Sequence, residues 1–350
     1  MREACLSSVA SIGEVPLVRS RVEDQVRAAL AMAADEDLDA VERAETLMEV
    51  AMGLQQRPKQ ADDLQAAVAL YDRALATCPD EQPLLRARIT ARRGTALQAL
   101  PGGETQPLLD ARAAFEAAIP ELRARGGPAE LAEAEMNLGV VLQALAGMGR
   151  ARITDAISAY QRALRTFDRH RYPREYAILQ NNLATAFLSI PISDERARMR
   201  EALAVQAFEE GLTVVNLVDH PAEYAMLQNN LGNALQYASS SHRIENNLRA
   251  LEAYEEALKV RTAATMPVEF ANTLANKANC LWNLPDDPER PEAGNPRNLT
   301  AARALYAEAR AIFAARGEAE KARIVAEAQV QIERELLATA PGDGDGRMAS

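Results

Sequence analysis

Pro173-Arg-Glu-Tyr-Ala-Ile-Leu-Gln-Asn-Asn-Leu183 returns forty-eight residues later as Pro221-Ala-Glu-Tyr-Ala-Met-Leu-Gln-Asn-Asn-Leu231, so the chain contains copies of one unit. The same frame recurs as Pro128-Ala-Glu-Leu131 followed by Asn137-Leu138-Gly139, and as Pro267-Val-Glu-Phe270 followed by Asn276. Pro83, Pro128, Pro173, Pro221 and Pro267 are separated by 45, 45, 48 and 46 residues, and eleven positions after each comes Gly94, Gly139, Ala184, Gly232 or Ala278. Weaker copies flank these, around Gly53 and over Glu318 to Leu337. A period between about 20 and 50 residues is the signature of stacked repeats, and a small residue at a fixed place permits close helix approach.

Each unit reads as two helices. The first opens at the proline, whose missing N–H has no partner to lose there. Apolar residues follow at helical spacing, as in Tyr224, Leu227, Leu231 and Leu235, a stripe that a neighbour must cover. The second carries Ala-x-x-x-Tyr/Phe-x-x-Ala, at Ala67 to Leu75, Ala111 to Ala118, Ala156 to Leu164, Ala250 to Leu258 and Ala302 to Ala309. Alternating small and large side chains on one face let two helices interdigitate. The expected fold class is all-α: a right-handed superhelical solenoid of antiparallel helix pairs over residues 38–338. An N-terminal segment with a capping helix (1–37) precedes it, and a flexible tail (339–350) follows.

These motifs resemble the tetratricopeptide repeat family, most clearly in Asn230-Leu231-Gly232-Asn233-Ala234 followed by Ala250-Leu-Glu-Ala-Tyr-Glu-Glu-Ala-Leu258. The usual repeat is about 34 residues, and here it is about ten longer. The surplus falls mainly between the two helices, in Pro101 to Gln106, Ala238 to His242 and Pro285 to Pro296, so the long-repeat type typified by kinesin light chains looks closer than the compact type. The resemblance implies a groove lined by first helices, with groove positions flanking the Leu-Gly pair. Laid on this chain, it places Asn181, Thr185, Asn229, Asn233, Asn272 and Asn279 toward the groove, with Gln98, Gln143, Gln236 and Trp282 a turn further on. An amide offers both donor and acceptor, so a row of them could bond an extended peptide backbone. Asn137, Asn182, Asn230 and Asn276 occupy a position where the family commonly has Asn, and are expected to tie helix to helix. Trp282 could serve as core or as groove anchor. The Lys/Arg/Asn clamp that holds a C-terminal carboxylate in chaperone-binding members is not recognisable.

Charged residues make up 25% and apolar residues 48%, but aromatics only 4%, so the core is expected to rest on many small alanine contacts. Cys5, Cys78 and Cys280 show neither pairing nor metal spacing, which predicts reduced thiols. No segment approaches the roughly 20 apolar residues of a membrane span, and no secretory signal is convincing; the expected location is cytoplasmic. A net charge of −11 argues against nucleic acid as a partner. Arg86, Arg88, Arg92 and Arg93, and Arg162, Arg165, Arg169, Arg171 and Arg174, form local clusters that either pair with the chain's carboxylates or meet an acidic peptide.

Catalytic, metal-ligating and phosphate-cradling motifs are not found, so neither enzyme activity nor a cofactor is expected. The expected function is a noncatalytic scaffold or assembly factor holding an extended segment of another protein; the alternative is a regulatory sensor that responds to a peptide or small ligand and controls a second protein. In the last helix, Ile324, Ala328, Ile332 and Leu336 make an apolar stripe that either folds onto the preceding repeat or meets a second copy in a homodimer.

Overall fold

The computed structural model describes residues 24, 26–28, 30–31, 38–56, 58, 61–190, 195–239 and 242–339. The expected N-terminal segment lies largely outside these residues, as do 340–350 of the expected tail. Among the described residues every regular element is helical. The chain divides into two compact units between Gly126 and Gly127.

The first unit contains α1 (Ala40–Gln56), α2 (Ala61–Thr77), α3 (Pro83–Gln98) and α4 (Thr105–Arg125). Each helix packs on the next, and α1 also touches α3. The second unit contains α5 (Pro128–Gly147), α6 (Ile153–Ala163), α7 (Pro173–Leu188), α8 (Glu195–Leu212), α9 (Pro221–Gln236), α10 (Arg243–Leu258), α11 (Pro267–Trp282), α12 (Pro296–Ala315) and α13 (Ala319–Thr339). Again each helix packs on the next, while the first helices α5, α7, α9 and α11 also touch in succession. Contacts only between neighbours in the array are the packing logic of a helical-repeat solenoid.

The proline frame sets the helix starts. Pro83, Pro128, Pro173, Pro221 and Pro267 each occupy the first helical position of α3, α5, α7, α9 and α11. The preceding residues Tyr172, His220 and Met266 hold φ of −136°, −137° and −140° with ψ of 58°, 57° and 64°, outside the α region that a following proline disfavours.

The two repeat signatures meet in one contact. The aromatic ring of the second helix lies directly on the small residue of the first: a Cβ added to Gly139 would stand 2.4 Å from Tyr160 Cε1, and one added to Gly232 would stand 2.6 Å from Tyr254 Cε1. In α3 the same place is held by Gly94 under Phe115, at 3.1 Å. The flanking alanines close the interface, as Ala156, Ala159 and Ala163 do around Tyr160, all without exposure. A sixth second helix follows the pattern in α8, where Ala204, Phe208 and Gly211 stand in the motif positions and Ala204 and Phe208 are fully buried. There glycine replaces the last alanine because its Cβ would meet Leu227 at 3.0 Å.

Burying a tyrosine leaves its hydroxyl to be satisfied. The Tyr71 hydroxyl donates to Gln55 Oε1 at 2.7 Å and that of Tyr160 to Gln143 Oε1 at 2.8 Å. The Tyr254 hydroxyl lies 2.8 Å from Gln236 Oε1 and 2.7 Å from Asn233 Oδ1, and its one proton serves one acceptor at a time. Burial raises all three phenols well above the ordinary tyrosine value, so they remain donors. Phe115 has no hydroxyl, and the Oε1 of Gln98, which stands where Gln143 and Gln236 stand in their units, is buried without a partner.

The longest inter-helix loop is tied down by backbone capping. Asp286 accepts from the N–H groups of Arg297 and Asn298 at 2.9 and 2.8 Å, satisfying the first turn of α12 from ten residues upstream. Asn298 in turn donates to the carbonyls of Leu284 and Pro285, both at 3.0 Å. In α13, Ile332 and Val325 are buried, and Ala328 and Leu336 pack against the same core, whereas Ile324 is 53% exposed. The stripe therefore folds onto the preceding repeat, with Val325 standing in for Ile324.

Gly232→Ala should destabilise the fold by about 1–3 kcal/mol through overpacking against Tyr254. Gly53→Ala, where nothing lies within 4 Å of the added methyl, should stabilise by roughly 0.5–1 kcal/mol through helix propensity. Urea unfolding of the two variants checks the contrast. Phe115→Tyr should add about 0.5–1.5 kcal/mol by giving Gln98 its missing donor, and a lower or unchanged urea midpoint would contradict the clasp.

Candidate functional site

The first-helix amides divide into an internal set and a surface set. Asn276 Nδ2 donates to Asn229 Oδ1 at 3.3 Å, Asn229 Nδ2 to Asn230 Oδ1 at 3.1 Å, Asn230 Nδ2 to Asn181 Oδ1 at 2.8 Å, and Asn181 Nδ2 to Asn182 Oδ1 at 3.3 Å. Four links thus run in one direction across α11, α9 and α7. Asn181 and Asn229 are each only 7% exposed, so their amides serve this ladder. Thr273, fully buried, adds a bond to Asn229 Oδ1 at 3.1 Å and receives one from Arg261 at 2.9 Å.

The extent of the ladder follows from the sequence. Adjacent residues on a helix point about 100° apart, so an Asn-Asn pair can face both neighbouring helices. Pairs stand at 181–182 and 229–230. In α11 the first of the two places is Ala275, and in α5 it is Met136, neither of which can extend the row.

The other candidates lie nearer the ends of the same helices and are partly exposed. Thr185 accepts from Gln143 at 3.1 Å, joining α7 to α5. Asn279 donates to the Tyr237 hydroxyl at 2.7 Å, joining α11 to the end of α9. Asn233 and Gln236 flank Tyr254 as described, and Asn272 sits two turns before Asn279 on α11, half-buried. Trp282 packs on the α11–α13 core and donates its indole N–H to Glu335 at 2.8 Å, so it serves as core and edge together. Tyr237 escaped the sequence reading. It is 68% exposed, beside Gln236 at the end of α9, and an aromatic just before a serine-rich loop was the available signal. The result is a polar strip along α5, α7, α9 and α11 with one exposed aromatic ring.

The arginine clusters are largely committed to structure. Arg93 pairs with Asp72 at 2.6 Å, Arg162 with buried Glu135 at 3.1 Å, Arg169 with Glu210 at 3.1 Å and Arg174 with Glu223 at 2.6 Å. Arg86 donates to the carbonyls of Cys78 and Leu75 at 2.6 and 3.1 Å, and Arg171 lies over the Tyr172 ring. Arg88 and Arg92 have partners too. Cys78 and Cys280 are free and buried, and burial pushes the Cys280 thiol up to about 12, far from a reactive thiolate. Among the described residues no cluster of His, Cys, Asp and Glu could hold a metal, and no helix is long and apolar enough to cross a membrane.

No family model matches the chain, and no curated protein matches it. Among solved structures it is similar to BtubC (BKLC) from P. vanneervenii, at 18% identity over 95% of this chain and 97% of that one, with a TM-score of 0.41. It is also similar to the apo form of RapI, at 12% identity over 91% of this chain and 99% of that one (TM-score 0.45). A third similarity is to a Rap protein complexed with competence and sporulation factor, at 12% identity over 90% of this chain and 81% of that one (TM-score 0.42).

Removing the central rung tests the ladder. Asn230→Ala should cost about 1–3 kcal/mol, because it leaves Asn229 Nδ2 and Asn181 Oδ1 without their partners. In a double-mutant cycle with Asn181→Ala the losses should be non-additive by at least about 0.5 kcal/mol; additive losses in urea unfolding would deny the link.

Proposed function

We propose that the chain is a noncatalytic interaction module, a scaffold or assembly factor that holds an extended segment of another protein along the strip of Thr185, Asn233, Gln236, Tyr237, Asn272, Asn279 and Trp282. The observation that carries this reading is the Asn279–Tyr237 bond between two repeats, which fixes a 68% exposed ring among partly exposed amides. A tyrosine gives large contact area at low entropic cost and is characteristic of binding hot spots. The amides around it can meet a backbone N–H or C=O whatever side chains the ligand carries. Asn181 and Asn229 support this surface from within, by keeping α7, α9 and α11 in register.

The test uses Tyr237→Ala, Asn272→Ala and Asn279→Ala together, all partly or largely exposed positions. Wild-type and variant chains are used to capture partners from the native cell, and synthetic segments of a captured partner are then titrated by fluorescence anisotropy. The variant should keep its helical content and bind at least about tenfold more weakly, the effect of losing one hot spot. Equal affinity in a folded variant would remove the strip from the function.

A further inference from the structure

The second unit carries a separate cleft of about 430 Å³ lined by the second helices α8 and α10 and by the end of α9. Its α8 wall is one helical face, Arg198, Glu201, Ala202, Val205, Gln206 and Glu209, at spacings of three and four. Leu235 and Ala238 contribute apolar lining beside Ser239, and Asn246 and Arg249 stand on α10. The volume falls within the range of small-molecule sites.

The state of the charges decides what the cleft accepts. Glu201 is occupied by Ser239, receiving its N–H at 2.8 Å and its hydroxyl at 3.0 Å. Glu209 is paired with Arg249 at 2.6 Å. Arg198 has no partner among the described residues, and the amides of Gln206 and Asn246 are uncommitted on opposite walls. Both carboxylates are engaged, one cation and two amides are open, and the floor is aliphatic through Ala202, Val205, Leu235 and Ala238.

We propose that this cleft binds a small amphiphilic carboxylate, its tail on Val205 and Leu235 and its anionic head on Arg198, with Gln206 and Asn246 as flanking hydrogen-bond partners. No residue of the strip on the first helices lines the cleft, so the two proposals are tested by different substitutions. A guanidinium holds a carboxylate through parallel N–H donors, which an uncharged amide cannot replace.

The probes are octanoate, octanamide and octylammonium, titrated calorimetrically into the full chain. Octanoate should bind saturably at one site, with octanamide weaker by about two- to fivefold, the effect of an exposed ion pair. Arg198→Gln should weaken octanoate by a similar factor and leave octanamide unchanged, and Ala202→Trp, an exposed position, should fill the cleft and abolish binding. Circular dichroism checks that each variant folds; should Ala202→Trp not fold, the three head groups on the wild-type chain decide. No saturable octanoate binding, equal binding of octanamide, preference for octylammonium, or octanoate binding unaffected in folded Ala202→Trp would each overturn the proposal.

Discussion

In the pairs α5–α6 and α9–α10 the seating of an aromatic ring on a residue without a side chain sets the spacing of the two helices. Tyr160 on Gly139 and Tyr254 on Gly232 leave no room for a methyl group, so first and second helices can approach only where these two positions coincide. A ring so placed buries its hydroxyl, and the glutamine one turn beyond the glycine receives it. Ring, glycine and glutamine act as one device, and Phe115 with the unpartnered Gln98 shows the device with its polar half missing.

Between repeats the binding is of another kind. Alanine-rich interfaces bring little apolar area per residue, and fully buried positions such as Ala177, Ala184, Ala225 and Ala250 supply fit more than driving force. Directional bonds then fix register. The ladder rungs from Asn276 to Asn229 and from Asn230 to Asn181, and the Arg174–Glu223 pair, cross from one unit to the next, while the bonds from Tyr176 to Glu210 and Tyr224 to Glu256, both 2.9 Å, fix the two helices within a unit. A surface strip assembled from four helices needs such bonds, because a shift of one helix along its neighbour would part Asn279 from Tyr237.

Helix starts were legible because proline acts locally: its fixed φ and absent N–H mark the first turn whatever packs around it. The pairing of glycine with the aromatic was also legible, as a fixed small position and a fixed large one. The division of the asparagines was harder, since one residue type serves both a buried ladder and an exposed strip. The discriminating signal was nonetheless present. Asn181 lies four residues after Ala177 and three before Ala184, on the buried stripe, and Asn229 stands in the same relation to Ala225 and Gly232. Tyr237 and the α8–α10 cleft depend on how helix ends meet across repeats, which a periodic pattern within one helix does not encode.

In the ladder, Asn230 donates its N–H to Asn181 of the unit before it and accepts from Asn229 of its own, while Asn229 accepts a hydrogen bond from Asn276 of the unit after it. Each full unit therefore carries one outgoing and one incoming half of the joint. A tandem copy of residues 173–220 would arrive with both halves already matched to its neighbours on either side, and the array could grow by gene duplication without any new complementarity having to arise. The near-identity of 173–183 and 221–231 is the trace that such growth would leave.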